Sequence, residues 1–340
     1  MTPILEINDL KVSFSTEEGE LKALNGVNIS INEGTFHGLI GETGCGKSVT
    51  GRSIMKLLDN NAIIKGGEIL YKNIDLMEKI EREMQDNYRG NELAMIFQDP
   101  GSSLNPVFTI ENQLKESVKM YRNARKNKYR EIIIDELKKV KLPDVENLLE
   151  KYPHQLSGGM KQRVMIAMML ACNPSFLIAD EPTTALDVSI QAQFLKVLND
   201  LKEKLQMTVL YITHDLAVIS EICDYVSVMY AGNIVEEVSV DGLFKNPIHP
   251  YTDKLVHSLL GPETEIEDLV EIPKRGERIE VKYRIGGGSN TNIVANSINS
   301  TKTYKVDGER ITVIFSNPNS AIGGADSENI DEAKLIAPLK

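Results

Sequence analysis

The stretch GETGCGKSVTG, Gly41 to Gly51, places three glycines, a lysine and a serine within eight residues, directly behind an apolar segment. Gly41, Gly46, Lys47 and Ser48 satisfy G-x-x-x-x-G-K-[ST], the spacing of a phosphate-binding loop. Glycine lets the main chain approach an anion closely and adopt conformations a Cβ forbids, so the loop becomes a nest of N–H donors. Upstream, GTFHGLI reads as a strand, and downstream KSVTGRSIMKLL has helical spacing. The loop then lies at a helix N-terminus, where the dipole favours phosphate. Gly41, Glu42, Thr43, Gly44, Cys45, Gly46, Lys47, Ser48 and Val49 are therefore candidate nucleotide contacts, with Lys47 reaching the β and γ phosphates and Ser48 holding Mg²⁺. The plain alternative is a glycine-rich turn with a solvated lysine. Cys45, among these donors, is expected to carry a depressed thiol pKa and to react readily.

Composition narrows the field. The 340 residues suit one large α/β domain with an appendage, or two to three units. A net charge of −11 argues against a general nucleic-acid surface, which needs clustered Lys and Arg. The local exception, Lys119 to Arg130 (KMYRNARKNKYR), reads first as a solvated helix face and otherwise as a headgroup or partner contact. Cys45, Cys172 and Cys223 form no CxxC or disulfide framework, which fits a reducing cytosol. No apolar run reaches the length of a membrane span, and the N-terminus lacks the features of a signal peptide, so a soluble chain is expected.

Short alternating runs in the first hundred residues (ILEINDLKVSF, GVNISI, GEILY) predict strands of a half-buried sheet. From about Ile110 to Cys172 the period turns helical, as in REIIIDELKKVKL. PSFLIADEP and MTVLYITHD then return as continuous apolar runs, the pattern of parallel strands buried on both faces. YVSVMYAGNIVEEVSV predicts a hairpin turning at Gly232 and Asn233.

A phosphate loop needs carboxylates, and FLIADEP supplies Asp180 and Glu181 where a buried strand ends, the place where ligands gather in α/β sheets. Asp180 is suited to hold Mg²⁺ through water and Glu181 to orient or deprotonate the attacking water. A turn ahead of Pro182 is the plainer account of the two acids.

LSGGMKQRV, Leu156 to Val164, completes the pattern: the chain closely resembles the ATP-binding subunits of ABC transporters, whose signature is LSGGQ. Met160 stands at the usual Gln position. Ser157, Gly158 and Gly159 are thereby implied to face the γ-phosphate held by an opposing subunit, though Ser157 also reads as an ordinary N-cap. The resemblance further implies a Q-loop at Gln98 that contacts Mg²⁺, a D-loop at Asp187, and a switch histidine, His214, which with Glu181 and Lys47 makes the catalytic set. Phe14 is the candidate adenine-stacking aromatic; its place in the alternation Leu10, Val12, Phe14 equally suits core packing.

The resemblance spans about Leu5 to Leu260. It implies a P-loop NTPase of the ABC ATPase type: an α/β fold with an antiparallel β subdomain, a helical subdomain and a small C-terminal appendage. The expected divisions are an ATPase domain over 1–261 with helices inserted at about 100–172, a linker at 262–273, and an appendage at 274–340. IFQDPGSSLNP, LSGGMKQRV and NPIHPYTDKLVHSLL resemble the peptide and nickel importer branch. That implies MgATP hydrolysis at a dimer interface with a second ABC ATPase subunit, two integral-membrane permease subunits, an extracytoplasmic binding protein, and a peripheral place on the cytoplasmic face of the membrane. A soluble ABC ATPase of DNA repair or translation would favour a long insertion, tandem cassettes or a basic surface. A regulatory subunit would have lost Lys47, Asp180, Glu181 or His214. Members of the branch commonly carry a cysteine-rich C-terminal segment; here no cysteine follows Cys223, so no iron–sulfur cluster is expected. TYKVDGERITVIF predicts a hairpin about Asp307 and Gly308.

Overall fold

Three of the apolar runs leave no side chain to solvent: β3 (Phe36–Ile40), β7 (Phe176–Asp180) and β8 (Thr208–Thr213) are buried throughout. In this computed structural model the described residues are 3–17, 19–98, 104–122, 124–183, 188–205 and 207–257, with strand segments at 280–285, 289–294, 301–306 and 309–314. The chain divides into two compact units, Met1–Pro247 and Ile248–Lys340.

The first unit is built on two sheets. β1 (Pro3–Thr16), β2 (Gly19–Asn32), β4 (Ala62–Tyr71) and β5 (Ile74–Asp75) form an antiparallel sheet in the order β2-β1-β4-β5. Its alternating pattern places Leu5, Ile7, Leu10, Val12, Ile29 and Ile31 in one core. The second sheet runs β10-β9-β3-β8-β7-β6, adding β6 (Leu93–Ile96), β9 (Tyr225–Tyr230) and β10 (Asn233–Ser239). β6, β7, β8, β3 and β9 are mutually parallel, and only β10 turns back. Continuous apolar strands are what a sheet covered on both faces requires. Each fully buried residue such as Phe36 or Phe176 contributes about 1.5–3 kcal/mol.

His37 is the polar exception in β3. Its Nε2 lies 2.7 Å from Ser227 Oγ on β9, and that hydroxyl donates to Glu237 Oε2 on β10 at 3.1 Å. Burial holds His37 neutral, its pKa pushed down to about 4. The β9–β10 hairpin turns at Ala231 and Gly232, one residue earlier than expected. Both take left-handed backbone (φ 47 and 81), which a two-residue hairpin loop demands, while Asn233 donates its Nδ2–H back to Ala231 O.

Helices cover the sheet: α1 (Lys47–Ile54), α2 (Ile110–Tyr121), α3 (Tyr129–Lys139), α4 (Val145–Leu149), α5 (Gly158–Cys172), α6 (Val188–Leu205), α7 (Leu216–Ile222) and α8 (Val240–Lys245). α1 is shorter than its sequence spacing suggests. Lys56 takes φ 50, and Arg89 donates to the carbonyls of Met55 and Lys56 at 2.8 and 2.9 Å, satisfying the end of the helix. The basic run between α2 and α3 is only partly a solvated face. Arg122 turns inward and donates to Ala171 O, Leu170 O and Glu136 Oε1 at 2.7–2.9 Å, closing the C-terminus of α5. Lys128 and Arg130 pair with Glu131 and Glu111.

In the second unit α9 (Pro250–His257) precedes two antiparallel strand pairs, β11 (Glu280–Ile285) with β12 (Ser289–Val294) and β13 (Thr301–Val306) with β14 (Glu309–Ile314). The expected turn residues Asp307 and Gly308, and the linker 262–273, lie outside the described residues. No described helix is long and apolar enough to cross a membrane.

Candidate active site at the carboxyl ends of the parallel strands

β3 delivers the chain into the glycine loop, and the loop is held by its own residues. Gly41 sits so close to β9 that a Cβ there would lie 2.1 Å from Met229 O. Gly46 forms the N-cap of α1 with φ 114, a conformation natural to glycine. Lys47 is buried, and its ammonium donates to the carbonyls of Gly41 and Glu42 at 2.8 and 2.9 Å, folding the side chain back along the loop. Glu42, Thr43 and Gly44 are exposed at the loop's crest. The β9–β10 turn supports the loop from outside, with Gly232 N–H donating to Cys45 O at 2.9 Å.

The carboxylates come from the neighbouring strand. Ser48 Oγ donates to Asp180 Oδ1 at 2.9 Å, joining α1 to the end of β7. Burial raises the Asp180 pKa, opposed by the Ser48 hydrogen bond and the charge of Arg52. Glu181 follows with φ 45, a left-handed conformation rare outside glycine, and it precedes a proline, which disfavours compact backbone. Its N–H donates to Ile212 O of β8 at 2.9 Å. Its carboxylate gathers three groups from distant parts of the chain: Gln98 Nε2 donates at 3.2 Å, His214 Nδ1 stands at 3.4 Å and Lys47 Nζ at 4.0 Å.

Lys47, Gln98 and His214 thus meet at Glu181, with Ser48 joined to Asp180 beside them. Val49 packs with the apolar residues beneath the antiparallel sheet. Phe14 is half-buried against that same cluster, opposite Leu21 and Ala62 in the sheet. Ser157, Gly158 and Gly159 are not hydrogen-bonded to the carboxylate cluster; Ser157 caps its own helix, accepting from Met160 N at 3.4 Å. Asp187 lies outside the described residues. The reactive Cys45 expected from the sequence is a correction: the side chain is buried, and desolvation raises its pKa against the lowering effect of Lys47. A helix N-terminus activates a thiol only if the thiolate reaches solvent or a charge partner. Cys172 is likewise pushed up, to about 11, by burial.

One residue of the cluster escaped sequence reasoning. Gln162, on the second turn of α5, is 2% exposed, and its Nε2–H donates to the carbonyl of Pro182, the residue after Glu181. Its Oε1 has no hydrogen-bond partner among the described residues. Such an orphaned acceptor costs about 1–3 kcal/mol. The available signal was position: Gln162 falls three residues after Gly159 and four before Ile166, on the buried side of an apolar helix.

Residues 24–184 match the ABC transporter family. Over 257 residues the chain is 49% identical to the probable peptide ABC transporter ATP-binding protein y4tR of Sinorhizobium fredii, covering 75% of this chain and 76% of that protein. This chain belongs to the ABC transporter family, among its ATP-binding subunits. The ATPase is also 46% identical over 275 residues to the oligopeptide transport ATP-binding protein OppD of Bacillus subtilis, covering 80% of this chain and 76% of that one. Among solved structures, it resembles a dimeric ATP-binding cassette in a post-hydrolysis state bound to ADP and Pi, with TM-score 0.62, 28% identity, and coverage of 69% of this chain and 98% of that one. It also resembles cbiO1 from Clostridium perfringens, with TM-score 0.62 and 26% identity over 72% of this chain and 92% of that one. As an ABC ATPase the chain binds ATP and couples its hydrolysis to transport.

Mg²⁺ accompanies ATP in such sites, and the donor set fits it. The Ser48 hydroxyl and Asp180 carboxylate are hard oxygen donors within 2.9 Å of each other, and a buried carboxylate with a raised pKa is one that a cation would stabilise. Among the described residues no cluster of three or more His, Cys, Asp or Glu could hold a metal ion. Mg²⁺ takes one or two protein oxygens and leaves its other positions to phosphate and water.

Proposed function

We propose that this ABC ATPase drives uptake of peptides or a similar small solute, nickel being a further candidate, through integral-membrane permease subunits. The observation that carries the chemistry is the Glu181 carboxylate at the meeting point of Gln98, His214 and Lys47, one residue beyond Asp180. ATP phosphates lie along the loop's N–H groups at the start of α1, with the Lys47 ammonium released from the loop carbonyls onto the β and γ oxygens. Ser48 and Gln98, with Asp180 through water, would hold Mg²⁺, which would supply charge neutralisation at the phosphate oxygens. Glu181 orients a water in line with the γ-phosphorus and takes its proton. The water oxygen bonds to phosphorus, the bond to the β–γ bridging oxygen breaks, and ADP and phosphate result. His214 bonds the γ-phosphate. Ser157, Gly158 and Gly159 face the γ-phosphate held by an opposing subunit, Ser157 and Gly158 being exposed at a helix N-terminus suited to an anion, and Asp187 serves the dimer contact. Phe14 stacks on adenine.

Residue identities close to those of peptide-transport ATPases support the substrate class. The exposed Val107 and Phe108 ahead of α2 support a protein partner. The subunit works peripherally at the cytoplasmic face of the membrane, paired with a second, different ABC ATPase chain and served by an extracytoplasmic binding protein. No iron–sulfur cluster is proposed, since no cysteine follows Cys223. Residues 274–340 are proposed as a regulatory or assembly appendage. The test is affinity purification from membranes, with mass spectrometry of the binding protein's ligand and ATPase assay of the complex. Co-purifying permeases, a peptide ligand and ligand-stimulated turnover are expected. Isolation without any integral-membrane protein would overturn the transport assignment, and a bound nickel complex would move the substrate.

A further inference from the structure

Glu181 holds a conformation that its own residue type and the following proline both disfavour, so its neighbours must over-determine it. Two backbone hydrogen bonds bracket it. On one side its N–H is tied to Ile212 of β8. On the other, the Pro182 carbonyl is tied to the Gln162 side chain. The first bond belongs to the sheet and moves with β7 and β8. The second comes from α5, the helix whose N-cap is Ser157, so one buried amide joins the signature helix to the backbone beside the catalytic carboxylate. The amide's orientation follows from the partner: a carbonyl accepts, so the nitrogen must face Pro182. This leaves Oε1 buried and without a partner among the described residues. An unbranched apolar side chain would fill the same space but leave the Pro182 carbonyl without this donor, so packing alone does not account for a glutamine here.

We propose that Gln162 is a positioning residue for hydrolysis: by donating to Pro182 O it holds Glu181 in its left-handed conformation and makes the placement of the carboxylate depend on the placement of α5. This rests on Glu181 being the group that activates water. Loss of the donor would leave the phosphate loop, Ser48 and Asp180 untouched, and would let the Glu181 backbone relax away from the water it must reach. A small displacement of a catalytic group is enough to cost a large factor in rate.

The test uses the full chain in its assembled transporter, with the second ATPase subunit's site silenced. Gln162→Met keeps the length and helix preference of glutamine but removes the donor; Gln162→Leu is the second variant should the first fail to assemble. The expected results are MgATP affinity and KM within twofold of the parent, a thermal midpoint close to the parent's because one orphaned acceptor is exchanged for another, and kcat lowered by about tenfold or more. Because the residue acts through Glu181, Gln162→Met added to Glu181→Gln should slow turnover no further than Glu181→Gln does alone. A kcat within twofold of the parent would overturn the proposal, and so would a loss that multiplies with that of Glu181→Gln or is matched by lost ATP affinity. Parental turnover in Glu181→Gln itself would instead remove the base assignment on which the inference stands.

Discussion

The phosphate loop and the Glu181 turn lie side by side, yet they are stabilised in opposite ways. The loop is determined mainly by its own residues: its glycines allow the required backbone, and Lys47 closes onto the carbonyls of Gly41 and Glu42, six and five residues away, with one added bond from the β9–β10 turn. The described partners of Glu181 come instead from far along the chain. Its conformation is held by Ile212 and Gln162, and its carboxylate by Gln98, His214 and Lys47, all from other elements. A loop fixed by its own residues keeps its affinity for phosphate through movements of the domain. A carboxylate fixed by its neighbours can be moved by them, which suits a step that must wait for the rest of a transporter.

If that contrast holds, damage at Glu181 falls on kcat and damage in the loop falls on binding. The largest effect is expected from Glu181→Gln: MgATP remains bound while turnover in the assembled complex, with the partner site silenced, falls by ~10²–10⁴. A parental rate would remove Glu181 from the water-activating role. In the loop, Gly41→Ala places a methyl carbon 2.1 Å from Met229 O, so the backbone must shift. Overpacking of this kind costs about 1–3 kcal/mol and should appear as weaker MgATP binding by calorimetry. Gly44→Ala meets no heavy atom within 4 Å but must hold φ 83, a strain of about 1 kcal/mol that should weaken binding only severalfold. Equal effects from the two alanines would break the claim that close approach, rather than glycine's freedom alone, shapes the loop. The smallest effect is expected from deleting residues 274–340: ATP affinity of the subunit should be unchanged, because every described phosphate and metal group lies between Gly41 and His214. A collapse of affinity or solubility would show that the tail belongs with the nucleotide unit.

Legibility in the sequence tracks this contrast. The glycine spacing, the continuous apolar strands and the helical period of Ile110 to Cys172 are periodic or contiguous signals, and the strands and helices follow them. The hairpin turn was displaced by one residue because Ala231, without glycine's freedom, takes a left-handed conformation once Asn233 bonds to its carbonyl. Cys45 was misjudged because spacing places a thiol near a helix N-terminus without saying that the antiparallel sheet buries it.

By itself, the order of residues determined the phosphate loop, the acids that end β7 and the histidine that follows β8, since each is a short motif attached to an element it announces. Tertiary structure alone decided how closely Gln98, His214 and Lys47 approach the Glu181 carboxylate, that Arg122 closes α5, and that Gln162 reaches Pro182. Contacts between residues 20 to 134 positions apart depend on how sheets and helices stack, and burial, which raises the pKa of Asp180 and Cys45 and lowers that of His37, exists only once they have.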